Sequence, residues 1–124
     1  MNPPKHTGLA GRVASFGFAF RGVRTLLATQ ANARIHAVAT ALVIAAGFRF
    51  GLTRMEWCAA IAAIGLVWTA EGLNTALEFL TDLVSPEHHP LAEKAKDVAA
   101  AAVLVAAIAA AVIGAIIFGA KLWP

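Results

Sequence analysis

The stretch WCAAIAAIGLVWTAEGLNTALEFLTDLV, residues 57–84, decides how this chain is read. Its first half is apolar enough to enter a bilayer. Its second half carries Glu71, Asn74, Thr75, Glu78, Thr81 and Asp82. At about 100° per residue, Glu71, Glu78 and Asp82 point the same way, with Asn74 beside them. An aspartate or glutamate at the centre of a bilayer costs about 2.5–3.5 kcal/mol or more, so such residues read first as a functional site. The segment also exceeds the roughly 20 residues needed to span. Its last turns, with Glu78 and Asp82, are therefore expected to protrude toward the headgroups. A stripe of three carboxyls and an amide at that depth suits charged chemistry at a membrane surface.

Composition agrees with the bilayer reading. Of the 124 residues, 60% are hydrophobic and 14% charged, against about 45–50% and 25% in soluble domains. A chain this short forms one domain, residues 1–124, and three spans alone do not easily enclose a polar site, so an oligomer is expected. The net charge of +3 reads as membrane topology and headgroup attraction; no nucleic-acid partner is expected. Cys58 stands alone, which excludes an intramolecular disulfide and a thiolate metal cluster.

Outward from the decisive stretch, two further spans are predicted. Residues 35–50 form the first, ending near Gly47, Arg49 and Gly51. Gly47-x-x-x-Gly51 matches a helix-packing motif but is read here as a termination signal. After residues 57–84 comes a proline-bounded turn, Ser85 to Pro90. The third span covers 91–120 and includes the charge-free stretch Val98–Phe118. Residues 1–8 read as a disordered tail. Residues 9–30 read as an amphipathic helix in the membrane surface, with Val13, Phe16, Phe20, Val23 and Leu27 on one face. A signal peptide ending near Ala31-Asn32-Ala33 is the rival reading, and Arg21 and Arg24 oppose it. Phe18 lies on the polar, small-residue face. It is either one more lipid contact or an aromatic facing a ligand.

Basic residues set the expected orientation. Lys5, Arg12, Arg21, Arg24, Arg34, Lys94 and Lys96 lie on one side, and Arg49, Arg54 and Lys121 on the other. The positive-inside rule puts the N-terminus and the 85–97 connection in the cytoplasm. If the second and third spans form a hairpin, Lys96 and Asp97 approach Glu78 and Asp82. That set offers carboxylates for Mg²⁺, a lysine for phosphate and a further carboxylate as base. Mg²⁺ prefers one or two carboxylates plus substrate phosphates, and phosphoryl transfer needs little beyond positioning and charge neutralisation. Glu93 and Lys94 read as ordinary ion-pairing residues, His36 as an interfacial residue, and His88-His89 as a solvated loop pair. Gly114 to Lys121 nearly spells a phosphate loop, but Ala120 separates glycine from lysine and the segment ends an apolar helix.

These residues carry a resemblance. Glu71-Gly-Leu-Asn74-Thr-Ala-Leu-Glu78-Phe-Leu-Thr-Asp82, followed by His89-Pro-Leu-Ala-Glu-Lys-Ala-Lys96-Asp97, resembles the signature of the prokaryotic diacylglycerol kinase and undecaprenol kinase family. The resemblance covers nearly the whole chain, and Arg34-Ile-His36 is similar to the undecaprenol-kinase branch. It implies an all-α integral membrane homotrimer of a surface helix plus three transmembrane helices, in the bacterial inner membrane, with composite sites between subunits at the cytoplasmic face. It implies transfer of the ATP γ-phosphate to a membrane lipid alcohol, either diacylglycerol or undecaprenol, with Mg²⁺. Glu71 then corresponds to the general base at the lipid hydroxyl, with Arg34 near the lipid, and Glu78 to the metal ligand. Asn74 and Lys96 match positions near the phosphates, and Asp97, Glu87 and His89 match the nucleotide end. Asp82 closes the stripe. Two departures stand out: Gln30 occupies the position of a second metal carboxylate, and Phe18 that of an aromatic hydroxyl near the nucleotide. The competing class is a non-catalytic small oligomeric membrane protein, such as a proton-coupled transporter using Glu71. It accounts for one buried glutamate but not for the cluster of Glu78, Asp82, Lys96 and Asp97.

Overall fold

The computed structural model describes residues 7–123. Most of the expected disordered tail, residues 1–6, lies outside the described residues. The elements are four α-helices: α1 (Leu9–Thr29), α2 (Ala31–Phe50), α3 (Arg54–Val84) and α4 (Pro90–Leu122). The last three are each long and apolar enough to cross a membrane. At a rise of 1.5 Å per residue, α3 and α4 run to about 46 and 50 Å, well beyond a hydrocarbon core of about 30 Å.

α1 starts at Leu9 as expected, while α2, α3 and α4 each begin earlier than the sequence pattern suggests, and each has a local cause. Between α1 and α2 only Gln30 leaves helical geometry (φ −110°, ψ 115°). Ala31–Arg34 is thus the first turn of α2, and Ala33 is fully buried rather than part of an exposed cleavage-like site. Alanine favours helix, so nothing in that tripeptide stops one. The second expected span, from Trp57, starts at Arg54 because Thr53 and Glu56 form a capping box. The Thr53 hydroxyl accepts from the Glu56 N–H at 3.2 Å, and Glu56 Oε2 accepts from the Thr53 N–H at 2.8 Å. The third starts at Pro90, whose missing N–H is harmless at a helix's first position.

The α2–α3 connection corrects the reading of Gly47. Gly51 terminates α2, with φ +67° and its N–H bonded to the Gly47 carbonyl, which also accepts from Leu52 at 3.1 Å. Gly47 itself is a packing residue. A Cβ there would lie 2.5 Å from Trp57 Cη2, so the indole seats directly on its backbone. Phe48 stacks tilted on Trp57 with centroids 5.0 Å apart. At this end of the bundle Leu52, Ala60 and Ile117 form a small core with Val43, Ile113 and Phe118 around it. Lys121 locks the corner by pairing with Glu56 at 3.0 Å. α3 and α4 form the main hairpin through the 85–89 turn, and α2 packs antiparallel to α3. α1 buries no residue of its own; Leu26 reaches the surface of α3 beside Gly72.

Candidate active site

The four residues of the predicted stripe, with Thr75 beside them, lie on α3 in a gradient of burial. Glu71 is 1% exposed, and Asn74 and Thr75 are also buried. Glu78 is half-buried and Asp82 exposed. Because α3 is one unbroken helix, the spacings of three, four and seven residues keep these groups on one face as it rises toward the turn. Asn74 Nδ2 donates to Glu78 Oε1 at 3.2 Å. Its own Oδ1 is buried without a partner among the described residues, as are Glu71 Oε2 and Thr75 Oγ1. A buried polar atom without a partner costs about 1–3 kcal/mol, so three in two turns mark a place shaped for something other than packing.

The hairpin does bring α4 to the upper end of this stripe. Lys96 Nζ donates to Asp82 Oδ1 in an interhelical ion pair. Asp97, the next residue, is exposed and makes no ion pair among the described residues. His89 Nδ1 accepts from the Leu91 N–H at 3.1 Å and so caps α4. In the same turn the Glu87 carbonyl accepts from Ser85 Oγ at 3.0 Å. His88 lies 3.6 Å from Glu93, both exposed. Together Thr81, Asp82, Glu87, His88, His89 and Lys96 line a polar depression of about 350 Å³ at this end.

The remaining predicted residues are not gathered into the stripe within one chain. Phe18 is half exposed, with the Arg21 guanidinium carbon 4.6 Å from its ring centroid. Gln30 sits at the α1–α2 junction with its Nε2 donating to Thr29 Oγ1 at 3.2 Å. Arg34 is exposed on the first turn of α2. Among the described residues no group of three metal-ligating side chains converges.

One neighbour of Glu71 was not anticipated. His36 Nε2 lies 3.6 Å from Glu71 Oε2. One helical turn away, Trp68 Nε1 donates to Thr40 Oγ1 at 3.0 Å, and Thr40 Oγ1 donates to the His36 carbonyl at 2.7 Å. The short 51–53 connection signals the shared depth of residues 36 and 71 but not that their side chains face each other. An antiparallel hairpin places residues 36 and 71 about 21 and 25 Å from it, at similar depth. Below this pair, an apolar cavity of about 280 Å³ is lined by His36, Val43, Ile64, Gly114, Ile117 and Phe118, among others.

The sequence profile of the prokaryotic diacylglycerol kinases matches residues 17–118. The chain belongs to this family. Among its relatives is the undecaprenol kinase of Bacillus subtilis, 43% identical over 91 residues, which are 73% of this chain and 74% of the relative. A diacylglycerol kinase from Synechocystis is 42% identical over 94 residues, covering 75% of this chain and 54% of that protein. The diacylglycerol kinase of Escherichia coli K12 is 30% identical over 99 residues, covering 80% and 81%. The family match contains the whole α3 stripe together with Phe18, Gln30, Lys96 and Asp97.

Proposed function

We propose that this lipid kinase moves the γ-phosphoryl group of ATP to the hydroxyl of a membrane lipid alcohol, at a site built along the α3 stripe. The observation that carries this reading is the burial gradient from Glu71 to Asp82. A lipid arriving laterally presents its hydroxyl at headgroup depth, and its tail finds apolar surface beside His36. Glu71, held from water, takes the hydroxyl proton as the oxygen attacks phosphorus. Asn74 holds Glu78 by its Oε1. Lys96 neutralises phosphate charge at the turn end, with Asp82 orienting it. Asp97, Glu87 and His89 lie at the nucleotide end, and Phe18 offers a ring without a hydroxyl.

The residues fit a Mg²⁺ ion of the kind held by one carboxylate and substrate phosphates. Glu78 keeps an oxygen free of the Asn74 bond, and Asn74 Oδ1 is a buried acceptor lacking a donor. Bound there, the ion supplies charge neutralisation on the phosphates. Gln30 is the second, weaker candidate ligand. We place the enzyme in the bacterial inner membrane with this end in the cytoplasm. We infer a homotrimer in which a neighbouring subunit brings Phe18 of its surface helix α1, Gln30 of its α1–α2 junction and Arg34 of the first turn of its α2 to the stripe. Support for assembly is that Phe18 and Arg34 are exposed, Gln30 is half-buried, and none of the three is gathered at the stripe within one chain; the exposed apolar side chains suit lipid as well as a neighbouring copy.

The test is turnover. Purified protein in mixed micelles with ATP and Mg²⁺ is offered diacylglycerol or undecaprenol, and phosphate on the lipid is measured. Transfer to one or both is expected. ATP hydrolysis with no phosphorylated lipid from either alcohol would remove the lipid as acceptor.

A further inference from the structure

We propose that His36 is the positioning residue for Glu71, donating from Nε2–H to Glu71 Oε2 and so aiming the other carboxylate oxygen at the lipid hydroxyl. The inference rests on the assignment of Glu71 as the base.

Three observations converge on it. Glu71 Oε2 is buried with no hydrogen-bond partner, and the one titratable side chain seen beside it among the described residues is His36, at 3.6 Å. That separation is just beyond a hydrogen bond, and catalytic contacts are often long before substrate closes the site. The imidazole is also held in place. The Trp68–Thr40 bond fixes the register of α2 against α3 one turn away, and Thr40 is anchored on the carbonyl of His36 itself. A register slip of one residue would turn His36 away by about 100°. Finally, the two groups differ in access: His36 is 18% exposed and Glu71 1%. The histidine therefore stands between the buried carboxylate and the surface without itself reaching the reacting atoms.

A carboxylate with two equivalent oxygens can rotate and present either one. An N–H on Oε2 removes that freedom and leaves Oε1 for the substrate. This role affects the chemical step and not the binding of ATP or lipid.

Two experiments test it. In kinetics, His36→Ala should lower kcat about 10–100-fold, the size of a lost hydrogen bond to a charged group. KM for ATP and for the lipid should stay within about two-fold. His36→Gln, which keeps an N–H near the Nε2 position, should recover most of kcat. In a Glu71→Gln background, His36→Ala should cost nothing further, because the two act as a unit. A loss that adds in full to that of Glu71→Gln, or a failure of Gln to rescue, overturns the proposal. The second readout needs no turnover. In bilayers, protein carrying ¹⁵N-histidine gives a His36 Nε2 resonance, assigned by its absence from His36→Gln. Glu71→Gln should move it, and Glu56→Gln, at the far end of α3, should not. An unmoved resonance in Glu71→Gln overturns the pairing whatever the activity. A moved resonance in a protein that phosphorylates neither lipid would leave the pairing and sink the kinase mechanism.

Discussion

Glu71, Glu78 and Asp82 are three carboxylates on one helix face, yet they meet three environments: enclosed, half-buried and solvated. A carboxylate shut away from water, with Arg54 at the far end as the one Lys or Arg on its helix, suits proton abstraction better than ion pairing. Glu71→Gln keeps the shape and removes the base, so turnover should fall about 10²–10⁴-fold, with nucleotide affinity, read by equilibrium binding, little changed. Near-normal turnover in the assembled variant would take Glu71 out of the catalytic step. Gln30 poses the complementary question. Its amide is engaged with Thr29 at the α1–α2 break, and an amide holds Mg²⁺ less strongly than a carboxylate. Gln30→Glu should lower the Mg²⁺ concentration for half-maximal activity, while Gln30→Ala should change it little. An unchanged Mg²⁺ dependence in Gln30→Glu would leave Glu78 as the sole protein carboxylate on the ion. The stripe itself was legible from spacing, because helical periodicity alone aligns residues three, four and seven apart. His36 was not, because its importance depends on which helix lies opposite.

At the scale of the element, the α2–α3 hairpin decides that pairing. Thr53-x-x-Glu56 is a capping signature written in the sequence, and it starts α3 three residues before the apolar run does. Gly47 is the less legible half. The Gly-x-x-x-Gly spacing is compatible with termination or with close packing, and here Gly51 terminates while Gly47 receives Trp57. Gly47→Ala puts a methyl 2.5 Å from the indole, and Phe48 on the neighbouring side limits retreat. Overpacking of this kind costs about 1–3 kcal/mol. Thermal unfolding of Gly47→Ala in detergent, followed by helical circular dichroism, should show a lowered Tm. A further Trp57→Leu change should restore part of it by vacating the contact. An unaltered Tm in Gly47→Ala would mean that the ring moves freely and does not define the hairpin.

For the whole molecule, the exposed surface is what a bilayer and neighbouring copies must cover. Large apolar side chains are exposed on α2, α3 and α4 alike, while polar groups concentrate at the 85–97 end. From the charge bias we propose that this end faces the cytoplasm. With Cys58 first changed to Ala, Ser85→Cys should resist a membrane-impermeant thiol reagent in intact cells and react in inverted vesicles. Labelling from outside would put the site on the side away from ATP. The sequence by itself determined the number of spans, the polar stripe on α3 and the family. Each rests on local periodicity, on the cost of carboxylates in hydrocarbon, or on a residue pattern within one stretch. Only the tertiary structure decided that His36 faces Glu71, that Trp57 sits on Gly47, and that Lys96 makes the ion pair across the hairpin to Asp82. Those facts depend on the register between antiparallel helices, which side-chain contacts far apart in the chain set and no local pattern encodes.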